Sequence, residues 1–178
     1  MLIPSKQGDL DCLCGIYSLV NMSTWFYGER IKPRPLFNYL LREYSEYWSL
    51  YKCLTQGIDI PEMDYLIKRL TSKYPSQAPL HITTPFRYKD GLTTQKILST
   101  CQAFLDAHTT SRRLILLGDQ WHWSLVERID SDYLYFFDSH QQERVSRTSY
   151  GLRGSKVRRL YSESVYFVEV TQYSYSLC

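Results

Sequence analysis

The chain has 178 residues, 44% of them hydrophobic and 22% charged, which is the composition of an ordinary globular protein of one domain, residues 1–178. A net charge of +3 is too small to point to nucleic acid, and no apolar run has the length of a membrane span. No signal peptide is legible in Met1-Leu2-Ile3-Pro4-Ser5-Lys6-Gln7, and the 5 Cys at irregular spacing fit reduced thiols better than a disulfide framework.

In chain order, Ile16, Leu19, Val20, Met22, Trp25 and Phe26 recur near helical spacing and predict a helix over 14–27. Asp11 or Cys12 would cap its start, and Gly28 would stop it. Lys32-Pro33-Arg34-Pro35 reads as a connector, with Pro35 opening a helix over 35–45. Ser49–Leu54 is ambiguous. Ile60-Pro61 opens a further helix through Leu70. Pro75–Pro85 is turn-rich around a short strand, Leu80–Thr83, and Leu92–Ala107 reads as a helix with Thr93 or Thr94 near its cap.

From Arg113 onward the pattern changes to strands. Leu114-Ile115-Leu116-Leu117 is a continuous apolar run, the mark of a strand buried on both faces. Residues 122–128 and 132–138 predict a hairpin across Ile129-Asp130-Ser131. An edge strand is expected at 143–149, a loop over Gly151–Lys156 and a final strand over Ser164–Val170. Helices thus dominate the first half and an antiparallel sheet the second, an α+β pattern.

Two stretches carry the chemistry. In the first, Gln7 precedes Cys14-Gly15 at the mouth of the apolar helix. In the second, His122 sits between Trp121 and Trp123, and Asp138 ends the next strand. A three-residue hairpin loop would set residue 128 opposite 132 and His122 opposite Asp138. Directly opposed side chains share a face with Cβ atoms about 5 Å apart, within reach of an imidazole–carboxylate hydrogen bond. A thiolate at a helix N-terminus is stabilised by the dipole and by unpaired amides. Gly15 would let a substrate backbone approach. The Cys14 amide and the Gln7 side chain would then hold an oxyanion, with Gln120 as an alternative donor. Each residue alone has an ordinary explanation: a buried small Cys, an exposed Gln, a surface His beside a turn Asp. The set together points to nucleophilic catalysis with Cys14 as nucleophile, His122 as base and Asp138 as its orienter.

Other clusters carry less. Cys12-x-Cys14 suggests metal, but His81, His108, His122 and His140 complete no zinc spacing, so neither metal nor cofactor is expected. Cys53 and Cys101 read as structural. Arg144, Arg147, Arg153, Lys156, Arg158 and Arg159 form a basic stretch that reads as a solvated loop or as a contact for an acidic substrate.

Gln upstream of Cys-Gly at a helix start, then His-Trp-Ser-Leu-Val, then Phe-Phe-Asp-Ser, resembles the papain-like cysteine peptidase superfamily. In compactness the chain is most similar to the bacteriocin-leader peptidase domains of ABC transporters. The His-Trp-Ser-Leu and Asp-Ser pieces also resemble SUMO-type proteases, but those place Cys last, and here only Cys178 follows Asp138. The resemblance implies a papain-like fold, with N-terminal helices packed on a C-terminal antiparallel sheet, and the roles above for Cys14, His122, Asp138 and Gln7. Gln7 precedes Cys12 by five residues and Cys14 by seven, bracketing the interval usual in the family. Gly15 and the apolar helix favour Cys14 over Cys12 as the reactive thiol.

The expected activity is a cysteine peptidase acting on a protein or peptide through a thioester. A deamidase or transglutaminase would use the same acyl-enzyme, and an inactive papain-like binding module would keep only the fold. Small enzymes of this type resemble bacterial effectors or toxins. The expected location is therefore the cytoplasm, or another cell reached by a route without a cleavable signal peptide.

Overall fold

The computed structural model describes residues 2–73, 79–107, 110–140, 142–154 and 158–171. Four helices come first: α1 (Cys14–Tyr27), α2 (Pro33–Ser45), α3 (Leu50–Gln56) and α4 (Ile60–Lys73). Strand β1 (His81–Thr83) and helix α5 (Thr94–Asp106) follow. The remainder is β2 (Ser111–Asp119), β3 (Trp123–Ile129), β4 (Tyr133–Phe136), β5 (Arg144–Ser146), β6 (Tyr150–Gly151) and β7 (Arg158–Thr171).

The main sheet has the order β1-β7-β2-β3-β4-β5 with antiparallel neighbours, and β6 pairs in parallel with β7. The chain is therefore an α+β fold, as its pattern predicts. The sheet is the middle of three layers. Leu114 and Leu116 of β2 join Leu125, Tyr166 and Val168 in a core with α1–α4. Ile115 and Leu117 join Val126, Val165 and Phe167 in a second core with α5. Alternate residues of one strand thus enter opposite cores, which is why the run at 114–117 is apolar throughout.

Several ends differ from expectation. The second helix begins at Pro33, not Pro35, because both prolines occupy a first turn whose amides have no intrahelical partner. The ambiguous stretch forms α3, where the Ser49 hydroxyl accepts from the Lys52 amide at 3.4 Å and Gly57 closes the helix at φ 82°. Helix α4 continues three residues beyond Leu70. Thr93 caps α5, accepting from the Lys96 amide at 3.1 Å.

The last strand is twice its expected length, and it takes in Arg158 and Arg159, so the basic stretch is no single loop. Arg147 donates to the Gln102 side chain and the Asp130 carbonyl, Arg158 pairs with Asp119, and Arg144 lies over the Tyr133 ring. Pro75, His108, Lys156 and Cys178 lie outside the described residues. Among the described residues, no helix is long and apolar enough to cross a membrane.

Candidate active site

Helix α1 begins at Cys14, with Leu13 in the cap position and no side-chain cap. Asp11 acts one step earlier than expected, its carboxylate accepting from the Leu13 amide at 3.0 Å, an Asx turn that leads the chain into the helix. Cys14 is buried and lines a cleft of about 550 Å³. One wall is the α3–α4 connection, residues 56–61, and the other is the turn between β2 and β3.

Gly15 has a different role from the one expected. A Cβ placed there would meet Ile58 side-chain atoms at 2.6 Å and the Met63 Cε at 3.2 Å. The glycine therefore lets α1 pack against the cleft wall rather than admitting a substrate. Trp123 braces the same wall from the sheet. It is buried, and its indole N–H donates to the Ile58 carbonyl at 2.9 Å. Trp121 is 69% exposed at the rim.

His122 stands in the turn, one residue before β3, rather than within the strand. The Asp119 amide donates to the His122 carbonyl at 3.0 Å, and the Asp119 carboxylate accepts from the amides of Trp121 at 2.9 Å and His122 at 3.0 Å. The imidazole Nε2 lies 2.9 Å from Asp138 Oδ1, with the Asp138 side chain 1% exposed and that of His122 12% exposed. The second Asp138 oxygen accepts from the His140 amide at 2.9 Å.

The pairing arises in a register other than the expected one. Val126 faces Phe136 and Arg128 faces Tyr135, with a shift between them, where a three-residue loop would have set 126 opposite 134. The turn instead spans Asp130–Tyr133, closed by the Asp130 amide on the Tyr133 carbonyl at 3.0 Å. Its Asp130 side chain accepts from the Asp132 and Tyr133 amides. The turn moves the partner of Arg128 three residues along and the bulge takes back one, so at Val126 the net displacement is two residues, which keeps side chains on the same face. His122 and Asp138 therefore meet diagonally, not directly across.

Burial alone would lower the pKa of His122. Hydrogen bonds to Asp138 and to the Cys14 thiol, with the negative charge of both partners, instead raise it from 6.5 to about 10. The ring is thus protonated at neutral pH. Because Nε2 serves Asp138, Nδ1 is the nitrogen left for Cys14. Two thiols outside the cleft are raised. Burial pushes Cys101 up to about 12, and burial with nearby negative groups does the same to Cys53. Cys12 is half-buried and lines the cleft.

Gln7 also reaches the cleft. Its side-chain nitrogen donates to the Asp11 carbonyl at 2.6 Å, which leaves one of its two N–H groups. Its main-chain amide donates to the Ser139 carbonyl at 3.1 Å, tying the N-terminal segment to the stretch that holds Asp138. Gln120 lines the cleft as well.

Sequence reasoning missed Asp119 and His140. An Asp three residues before a His is a turn signal that would have marked the first. The ring of His140 lies edge-on to that of His122 with centroids 4.9 Å apart, a proximity that follows only from the bend after β4. Among the described residues, no group of three or more His, Cys, Asp or Glu side chains could hold a metal ion. No protein-family model matches the chain, and no curated protein is similar to it.

Proposed function

We propose that this chain is a cysteine hydrolase of the papain-like type, a peptidase acting on a protein or peptide. One observation carries the reading: a single imidazole lies between a buried carboxylate and the thiol that opens an apolar helix, at the floor of a cleft. An imidazolium beside a sulfur at a helix N-terminus favours the ionised, nucleophilic form of a thiol. Cys14 would attack a carbonyl carbon, and the oxyanion would take hydrogen bonds from the Cys14 amide and the remaining Gln7 N–H. His122 would give its proton to the leaving amine, then take one from the water that hydrolyses the thioester. Asp138 fixes the ring throughout. The four described cysteines are unpaired, which suits work in a reducing compartment such as the cytoplasm of a producing or recipient cell.

The test is alkylation of the native protein by iodoacetamide at neutral pH with mapping of the adduct, followed by incubation of wild type and Cys14→Ala with candidate substrate proteins. Fast labelling at Cys14 and new peptide termini made only by the wild type support the reading. Preferential labelling at Cys12 moves the nucleophile. Conversion of a Gln or Asn side chain without backbone cleavage would make the enzyme a deamidase instead.

A further inference from the structure

We infer that Asp119 is a positioning residue for His122: its carboxylate builds the turn that keeps the imidazole between Asp138 and Cys14. The inference rests on the Cys14–His122 reading above.

Nothing in the catalytic pattern calls for a carboxylate at the tip of the β2–β3 hairpin, yet the fold invests in one. Strand β2 pairs with β7 in regular register up to Leu117, then shifts so that Asp119 faces Leu160. Such a bulge re-aims the side chains that follow it. It is pinned by Ser164, whose buried hydroxyl donates to the Gly118 carbonyl at 2.7 Å. A Cβ on Gly118 would meet Trp123 at 2.9 Å and Ser164 at 3.0 Å, so the tip is closely packed from both sides. The result buries the Asp119 side chain to 1% exposure and sets Arg158 against its Oδ2 at 3.2 Å. Oδ1 takes the consecutive amides of Trp121 and His122.

Asp119 thus makes three bonds to the turn, two of them to the His122 backbone: its side chain accepts from the Trp121 and His122 amides, and its own amide donates to the His122 carbonyl. The imidazole must satisfy two partners from different elements, one on α1 and one beyond β4. Rotation of the His122 Cα by a loosened turn would carry the ring off one or both. Arg158 compensates the buried charge and comes from β7, so the turn is referenced to an inner strand of the sheet and not to its own hairpin alone.

The test measures the rate of Cys14 alkylation against pH, with thermal unfolding as a control for the fold. Asp119→Ala removes the acceptor. Asp119→Asn combined with Arg158→Gln keeps an acceptor for the two amides and replaces the ion pair by a neutral amide pair. The expected result is labelling about a hundredfold slower at neutral pH in Asp119→Ala, with a pH profile different from that of the wild type. The double variant should stay within a few-fold of wild type. Asp119→Glu keeps the charge for Arg158 but moves the acceptor by one methylene, so it should behave like Asp119→Ala, and it decides the matter if the alanine variant does not fold. Wild-type rate and profile in Asp119→Ala or Asp119→Glu overturn the inference, as does a double variant as slow as either. If the wild-type protein shows no fast labelling at Cys14, the hydrolase reading fails and takes this inference with it. Fast wild-type labelling with no effect of Asp119 defeats this inference alone.

Discussion

The Ser18 hydroxyl donates to the Trp123 carbonyl at 2.8 Å in the buried interior. One turn along α1 from Cys14, this bond joins the helix of the thiol to the first residue of the strand that follows His122. The two halves of the site, separated by more than half the chain, are held at a fixed spacing by it. Replacing Ser18 with Ala leaves a buried carbonyl without its partner, which costs about 1–3 kcal/mol. Urea denaturation should show that loss, and Cys14 alkylation should slow as the helix and strand lose their shared anchor.

Protonation of His122 should be visible in stability. Its pKa in the fold is raised from 6.5 to about 10, so the group's contribution is fully present below pH 6.5 and is lost as pH rises through about 10. The difference in unfolding free energy between wild type and His122→Gln should therefore be largest on the acid side of that window and fall as pH rises through it. Asp138→Asn should return the imidazole titration, followed by NMR, toward the ordinary histidine range. An unchanged midpoint in that variant would contradict the assignment of Asp138 as the group that holds the proton on the ring.

Gly15 and Ile58 should behave as a coupled pair. Gly15→Ala forces a methyl group against the Ile58 side chain and should destabilise by about 1–3 kcal/mol. Adding Ile58→Ala makes room, so the double variant should lose less than the sum of the single ones. Strict additivity in thermal or urea unfolding would show that the helix start and the cleft wall are not in contact.

Gln7→Ala should lower turnover of any substrate that the wild type cleaves by about a hundredfold, with a smaller change in KM. Cys14 labelling should persist, because His122 and the helix act on the thiol without Gln7. Full turnover in this variant would remove Gln7 from the oxyanion site and direct attention to Gln120.

The residues that could be read from sequence are those whose role is local. Gly28 stops α1, with its φ of 59° and its amide on the Thr24 carbonyl, and the 114–117 run lies between two cores, because period and composition encode both. The His122–Asp138 encounter was legible as a meeting but not as a register. The bulge between Val126 and Arg128 depends on how the Asp130 side chain closes its turn, and an Asp in a turn-rich stretch fits several turn lengths. Gly15 shows the opposite limit. Its neighbour Ile58 belongs to another element, so the sequence around Cys14 does not reveal that tertiary packing demands a glycine there. The half of β7 near Arg158 and Arg159 is not legible in the sequence for a similar reason. Charged residues obscure strand alternation, and only pairing with β2 and β6 reveals it.

Strand β7 comes last among the described strands, yet it lies between β1 and β2 and holds Arg158 against the turn of His122. On the ribosome, the helix of Cys14 emerges early and the hairpin of His122 much later, but the sheet that sets them against each other lacks an inner strand until residue 171 has been made. Pairings over such sequence separations form late in folding. The thiol therefore meets its imidazole in a fixed geometry only when nearly all of the described chain has been synthesised, and a nascent or truncated chain ending before Arg158 should carry Cys14 as an ordinary cysteine.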